Sequence, residues 1–114
     1  MITIYGIKNC DSVKKAFQFF NEHAINYTFI DFKTSPVNHD KITQWSQKAS
    51  LTLLLNTKGT TYRTLDLKSL SLNDSDKIEW MAKENRLIKR PVIEYSENLI
   101  VGFNPTQYEG IFLS

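Results

Sequence analysis

Residues 1–32 change hydrophobic period twice, and that double switch narrows the possible folds more than any other feature of the chain. Ile2, Ile4 and Tyr5 make a short β-branched and aromatic run, which Gly6 ends. Val13, Ala16, Phe17, Phe20 and Ala24 then recur at three- and four-residue steps, with Lys14, Lys15, Gln18 and Glu22 between them. That pattern is an apolar helix face with a solvated back. Tyr27-Thr28-Phe29-Ile30-Asp31-Phe32 returns to strand chemistry. Strand, helix and strand within about thirty residues is the size of a βαβ unit, whose two strands must be parallel and joined by a crossover.

The remaining segments complete a mixed sheet. After a turn at Ser35-Pro36, Ile42, Trp45 and Ala49 mark a second amphipathic helix capped by Asn38. Residues 50–86 read as a helical insertion: Leu51–Leu55 is short and apolar, Gly59 breaks it, and Tyr62–Leu67 follows. Asn73-Asp74-Ser75-Asp76 starts a helix with its acids in the first turn, where the helix dipole favours them. Ile78, Met81 and Ala82 give that helix its buried face. Pro91 precedes the strand Val92–Tyr95, and a Ser96-Glu97-Asn98 loop leads into Leu99–Phe103, the second arm of a hairpin. Asn104 as N-cap, Pro105 at the first helical position and Gln107 at the capping-box place open a last helix. Tyr108, Ile111 and Phe112 would bury that helix against the sheet. The expected fold is α/β, a mixed four-stranded sheet flanked by helices in a single domain over 1–114.

Composition sets the setting for chemistry. At 114 residues with 41% hydrophobic side chains, the chain can fill one core and is short for two domains. A formal net charge of +2 is too weak for a nucleic-acid binder. With one cysteine no internal disulfide is possible, which points to a reducing compartment. No targeting segment is visible, and Leu51–Leu55 is too short to cross a bilayer. The expectation is a soluble, cytoplasmic monomer without membrane or nucleic-acid partners. His23 and His39 have no companion at ligand spacing, so no metal site is expected.

The chemistry converges on one turn, Tyr5-Gly6-Ile7-Lys8-Asn9-Cys10-Asp11-Ser12, between the carboxyl end of the first strand and the amino end of the first helix. Helix starts present unpaired N–H donors and partial positive charge, which favour a thiolate over a thiol. Lys8 and Lys14 add to this effect and Asp11 opposes it. A free cysteine is often just a small buried hydrophobe. Cys10, however, lies off the apolar stripe of Val13, Ala16 and Phe17, in a polar turn, and is therefore read as a working nucleophile.

These residues also match a family. Ile4–Ser12, Lys14-Lys15-Ala16, Leu54-Leu55-Asn56-Thr57-Lys58-Gly59-Thr60-Thr61-Tyr62-Arg63 and Ile88-Lys89-Arg90-Pro91 resemble the arsenate reductase-like (ArsC/Spx) family, in order and over essentially the whole chain. The nearest branch resembles the YffB-like reductases. The resemblance implies a thioredoxin-like fold with a helical insertion, Cys10 as the nucleophile, Arg90 close to it, and Pro91 as the cis-proline beside the active cysteine. The residues expected to bind the substrate are Lys8, Asn9, Asp11, Ser12, Asn56, Arg63 and Pro91.

Two departures shape the functional expectation. Arsenate reductases of this type hold the oxyanion with three arginines; Arg90 matches one, Asn56 stands at a second place, and Gly102 or a neighbour at the third. Spx carries a Cys-x-x-Cys switch, whereas this chain reads Cys10-Asp11-Ser12-Val13. The expected activity is a thiol-dependent reductase acting on an anionic or disulfide substrate, with no bound cofactor. Its covalent intermediate would be resolved from outside by glutathione, alone or delivered by glutaredoxin, whose charge suits Lys8, Arg63, Lys89 and Arg90. The rivals are a true arsenate reductase and a non-catalytic module that docks on a partner as Spx does.

Overall fold

A computed structural model describes residues 1–113. The elements run β1 (Ile2–Gly6), α1 (Asp11–Glu22), β2 (Thr28–Asp31), α2 (His39–Ser46), α3 (Leu51–Leu54), α4 (Thr60–Thr64), α5 (Asp74–Lys83), β3 (Val92–Tyr95), β4 (Asn98–Val101) and α6 (Pro105–Phe112). Short 3-10 turns at Leu67–Leu70 and Asn85–Leu87 flank α5. The contacts divide the described residues into two units, one of residues 1–31 with 90–113 and one of residues 32–89.

The first unit holds the whole sheet, in the order β2-β1-β3-β4. β1 pairs parallel with β2 and antiparallel with β3, and β3 pairs antiparallel with β4. This is the mixed sheet read from the sequence and the thioredoxin-like arrangement implied by the resemblance. Because side chains alternate along a strand, Ile4, its partner Ile93 and that residue's partner Ile100 share one face. Ala16, Phe19 and Phe20 of α1 and Tyr108 of α6 close over them into one core. Aromatic rings knit the two helices together, with Phe20 stacked on Tyr108 at 5.9 Å and edge-on to Phe112 at 5.0 Å. Phe20 is fully buried, so Phe20→Ala would cost about 3–5 kcal/mol. On the opposite face Tyr5 donates its hydroxyl to Glu94 at 3.0 Å, a diagonal cross-strand pair.

The β3–β4 hairpin is tighter than its sequence suggests. Asn98, read as a loop residue, pairs with Tyr95, and only Ser96 and Glu97 turn the chain, with φ of 42° and 67°. Two left-handed residues are what a two-residue hairpin needs to follow the sheet's twist. α6 begins as expected, with the Gln107 amide donating to Asn104 Oδ1 at 3.1 Å. The Tyr108 hydroxyl donates to the Gly102 carbonyl at 2.7 Å, and burial pushes its phenol above the usual range, so it stays a donor.

The second unit is helical. Ile42 and Trp45 of α2, Leu54 of α3, Leu67, Met81 of α5, Leu87 and Ile88 are among its most buried apolar residues, with Phe32, Val37 and Leu55 beside them in the buried set. Leu51–Leu55, ambiguous as an apolar run, becomes one helical turn that ends in an isolated antiparallel bridge from Leu55 to Ile88. Its one buried polar residue among those described is Asn85. Asn85 Oδ1 accepts from the Val37 amide at 2.8 Å, and its Nδ2 donates to the Val37 and Met81 carbonyls at 3.2 and 2.8 Å. That amide side chain ties the chain ahead of α2 to the last turn of α5. No helix of the described residues is long and apolar enough to cross a membrane.

Candidate active site at the start of the first helix

The turn from β1 into α1 is built by its backbone. Cys10 N donates to the Ile7 carbonyl at 3.1 Å, closing a turn whose tip, Lys8 and Asn9, is exposed. Cys10 then takes the extended N-cap conformation, with φ −88° and ψ 127°, and its carbonyl accepts the first helical bond from Lys14 N at 3.0 Å. Asp11 occupies the first helical position and is exposed, a placement the dipole favours. The sequence therefore puts the cysteine at the residue whose side chain faces the free amides of the first turn.

Cys10 is half-buried and makes no side-chain capping bond of the ordinary kind. Burial pushes its thiol up. The Val13 amide, the Arg90 guanidinium and the Ser12 amide each favour the thiolate, and the charge on Arg90 adds to them. The sum holds the thiol below its ordinary value. Arg90 reaches this position from two residues ahead of β3, its Nε shut off from solvent, and the Arg90–Pro91 peptide bond is cis. Pro91 is buried, and its carbonyl accepts from Gly102 N at 2.7 Å. Chemically the arrangement can present a nucleophilic sulfur and a guanidinium to the same substrate atom or leaving group.

Of the residues singled out in the sequence, Lys8, Asn9, Cys10, Asp11, Ser12, Arg90 and Pro91 all lie in the unit that carries the sheet. Asn56 and Arg63 lie in the helical unit, where both bond the backbone of one residue, Lys58. Asn56 Oδ1 accepts from the Lys58 amide at 3.3 Å, and Arg63 Nη1 donates to the Lys58 carbonyl at 2.9 Å. Gly59 fits beneath them because a Cβ there would stand 2.7 Å from Asn56 Nδ2. Lys89 belongs to that unit too, its amide donating to the Leu54 carbonyl at 2.7 Å. Gly102 has a left-handed φ of 87° just after β4, not within a strand. Val13 went unrecognised as a site residue, because its side chain reads as core. The signal available was its place three residues after the cysteine, where an N-cap side chain finds its amide.

Known proteins share this sequence and fold. The model of the ArsC family matches residues 5–111. The solved structure of the YFFB protein is 34% identical, superposes with a TM-score of 0.91, and aligns over 96% of this chain and 97% of its own. An arsenate reductase (ArsC) related protein from Brucella melitensis is 40% identical, with a TM-score of 0.78 over 97% of this chain and 93% of that one. The global transcriptional regulator Spx of Streptococcus pyogenes serotype M1 is 26% identical over all of this chain and 86% of its own length.

Proposed function

The chain belongs to the ArsC family, and from that membership and the surroundings of Cys10 we propose that it is a thiol-dependent reductase served by glutathione. One observation carries the reading: two amides and a guanidinium converge on the only cysteine and favour its thiolate against the cost of burial.

A glutathione mixed disulfide gives the simplest balanced cycle. The Cys10 thiolate attacks the glutathione sulfur, the substrate S–S bond breaks, and the electron pair leaves on the substrate thiolate. Arg90 holds that developing negative charge. Cys10 is now joined to glutathione. Because the chain has no second cysteine, the resolving thiol comes from outside. A second glutathione gives its thiol proton to the substrate thiolate and, as a thiolate, attacks the bound glutathione sulfur, releasing oxidised glutathione and the Cys10 thiolate. The substrate is reduced and two glutathiones end as one disulfide. Lys8, exposed on the same turn, suits the carboxylates of the tripeptide.

Arsenate is the weaker substrate in this reading. Asn56, where the resemblance puts a second arginine, spends its Oδ1 on the Lys58 amide, and Gly102 has no side chain to offer. The test is direct. After exposure to oxidised glutathione, the wild-type protein should gain one glutathionyl group on Cys10 that Cys10→Ser does not gain. Turnover of a mixed disulfide, followed through glutathione reductase, should depend on Cys10. Absence of both the adduct and turnover, on disulfides and on arsenate alike, would overturn the proposal.

A further inference from the structure

We infer that Gly6 is a positioning residue for the nucleophile: by lacking a Cβ it leaves room for Val13 over the end of β1, so the first turn of α1, whose Val13 amide faces the Cys10 sulfur, is not pushed out of line. The inference rests on the reading of Cys10 as the working thiolate.

The need for glycine here is steric. Gly6 ends β1, paired with Asp31 of β2, and its φ is not in the left-handed region, so any L residue could adopt its backbone. It shares the face of Ile4, on which α1 packs. A Cβ built at Gly6 would lie 2.6 Å from Val13 Cγ2, 3.7 Å from Val13 Cγ1 and 3.8 Å from Arg90 Cβ. The last two are ordinary contacts. The first falls roughly 1 Å short of the separation that carbon atoms keep.

Val13 cannot readily step aside. It is fully buried, and a β-branched side chain in a helix holds one strongly preferred χ1. The strain therefore passes to its backbone, and the Val13 amide is one of the groups that favour the Cys10 thiolate. Hydrogen bonds weaken steeply with misalignment, so a small shift of this turn costs the sulfur part of its support. The same valine thus locks into the strand through its side chain and faces the sulfur through its N–H.

The experiment compares wild type, Gly6→Ala, Val13→Ala and Gly6→Ala/Val13→Ala. It reads the pH dependence of Cys10 alkylation by iodoacetamide, with circular dichroism as the check on folding. Gly6→Ala should lower the thiolate fraction at neutral pH on the order of threefold to tenfold. Val13→Ala should lose thermal stability but keep a titration close to wild type, because its amide remains. The double variant should regain the wild-type titration, because the alanine at 13 has no Cγ2 to collide with.

A Gly6→Ala titration equal to wild type would overturn the inference, as would a double variant no better than Gly6→Ala. If Gly6→Ala does not fold, the double variant decides alone. Folding with wild-type titration supports the inference, and failure to fold or a raised titration overturns it. A wild-type thiol that titrates like free cysteine would instead sink the functional reading beneath it.

Discussion

The start of α1 uses its polar groups differently from the capped helix starts of the helical unit. In the helical unit, Asn38, Ser50 and Asn73 each place a side-chain oxygen on an amide of the first turn, at 3.0, 3.2 and 2.8 Å. Asn85, Asn56 and Arg63 likewise turn their polar atoms onto the unit's own backbone. In the sheet unit, α6 follows the same rule through Asn104, but α1 carries a cysteine at that place with no ordinary capping bond. α1, the longest helix among the described residues, thus begins without the oxygen cap those helices have, as the short α4 also does at Gly59. The first-turn amides of α1 favour a thiolate at the place where an asparagine or serine would have bound them for stability. A helix start that carries an ionisable side chain in place of such a cap is therefore a place to look for a site.

The contrast can be broken in several ways. The largest effect belongs to Cys10→Ser. It should lower glutathione-dependent turnover on the order of a thousandfold or more with the fold intact, measured as steady-state rate beside circular dichroism. Turnover that survives would move the chemistry elsewhere. Next comes Asn85→Ala, which orphans two carbonyls and an amide inside the helical unit. It should cost roughly 3 kcal/mol in urea denaturation. A cost well under about 1 kcal/mol would show that this unit does not depend on internal polar satisfaction.

A smaller effect of opposite sign sharpens the comparison. Cys10→Asn, which installs the cap used elsewhere in the chain, should gain about 0.5–1 kcal/mol while abolishing activity. A loss of stability would mean that the cysteine is not a compromise. The smallest effect is a pH dependence. The folded thiol titrates below its unfolded value, so the stability it contributes is full above the unfolded value, about 8.5, and fades as pH falls through the folded one. The stability of wild type relative to Cys10→Ser should therefore rise with pH across that window. A flat difference would deny the sulfur its support.

Much of this was legible in the sequence because it is local. The double change of period gave the parallel pair of β1 and β2, and the Asn-led starts at 38, 73 and 104 gave three helix boundaries. The thiol at a strand-to-helix turn was visible for the same reason. What stayed hidden depends on packing. Ser96 and Glu97 turn the hairpin without a glycine, so the asparagine beside them drew the loop one residue too far. Asn85 sits between Glu84 and Arg86 and looks like solvated helix end, whereas its partners at Val37 lie 48 residues away. Gly6 reads as a strand terminator, and only the Val13 side chain above it gives its missing Cβ a meaning. Arg63 was expected beside the substrate, and the bond from its Nη1 to the Lys58 carbonyl is a contact that no local pattern announces.

The most direct test is the pH dependence of Cys10 alkylation in wild type and in Arg90→Ala. The account predicts a wild-type thiol that titrates well below free cysteine and rises when the guanidinium is removed, because both the hydrogen bond and the charge of Arg90 favour the thiolate. A wild-type thiol at or above the free value, unmoved by Arg90→Ala, would contradict it and leave Cys10 without a claim to nucleophilic chemistry.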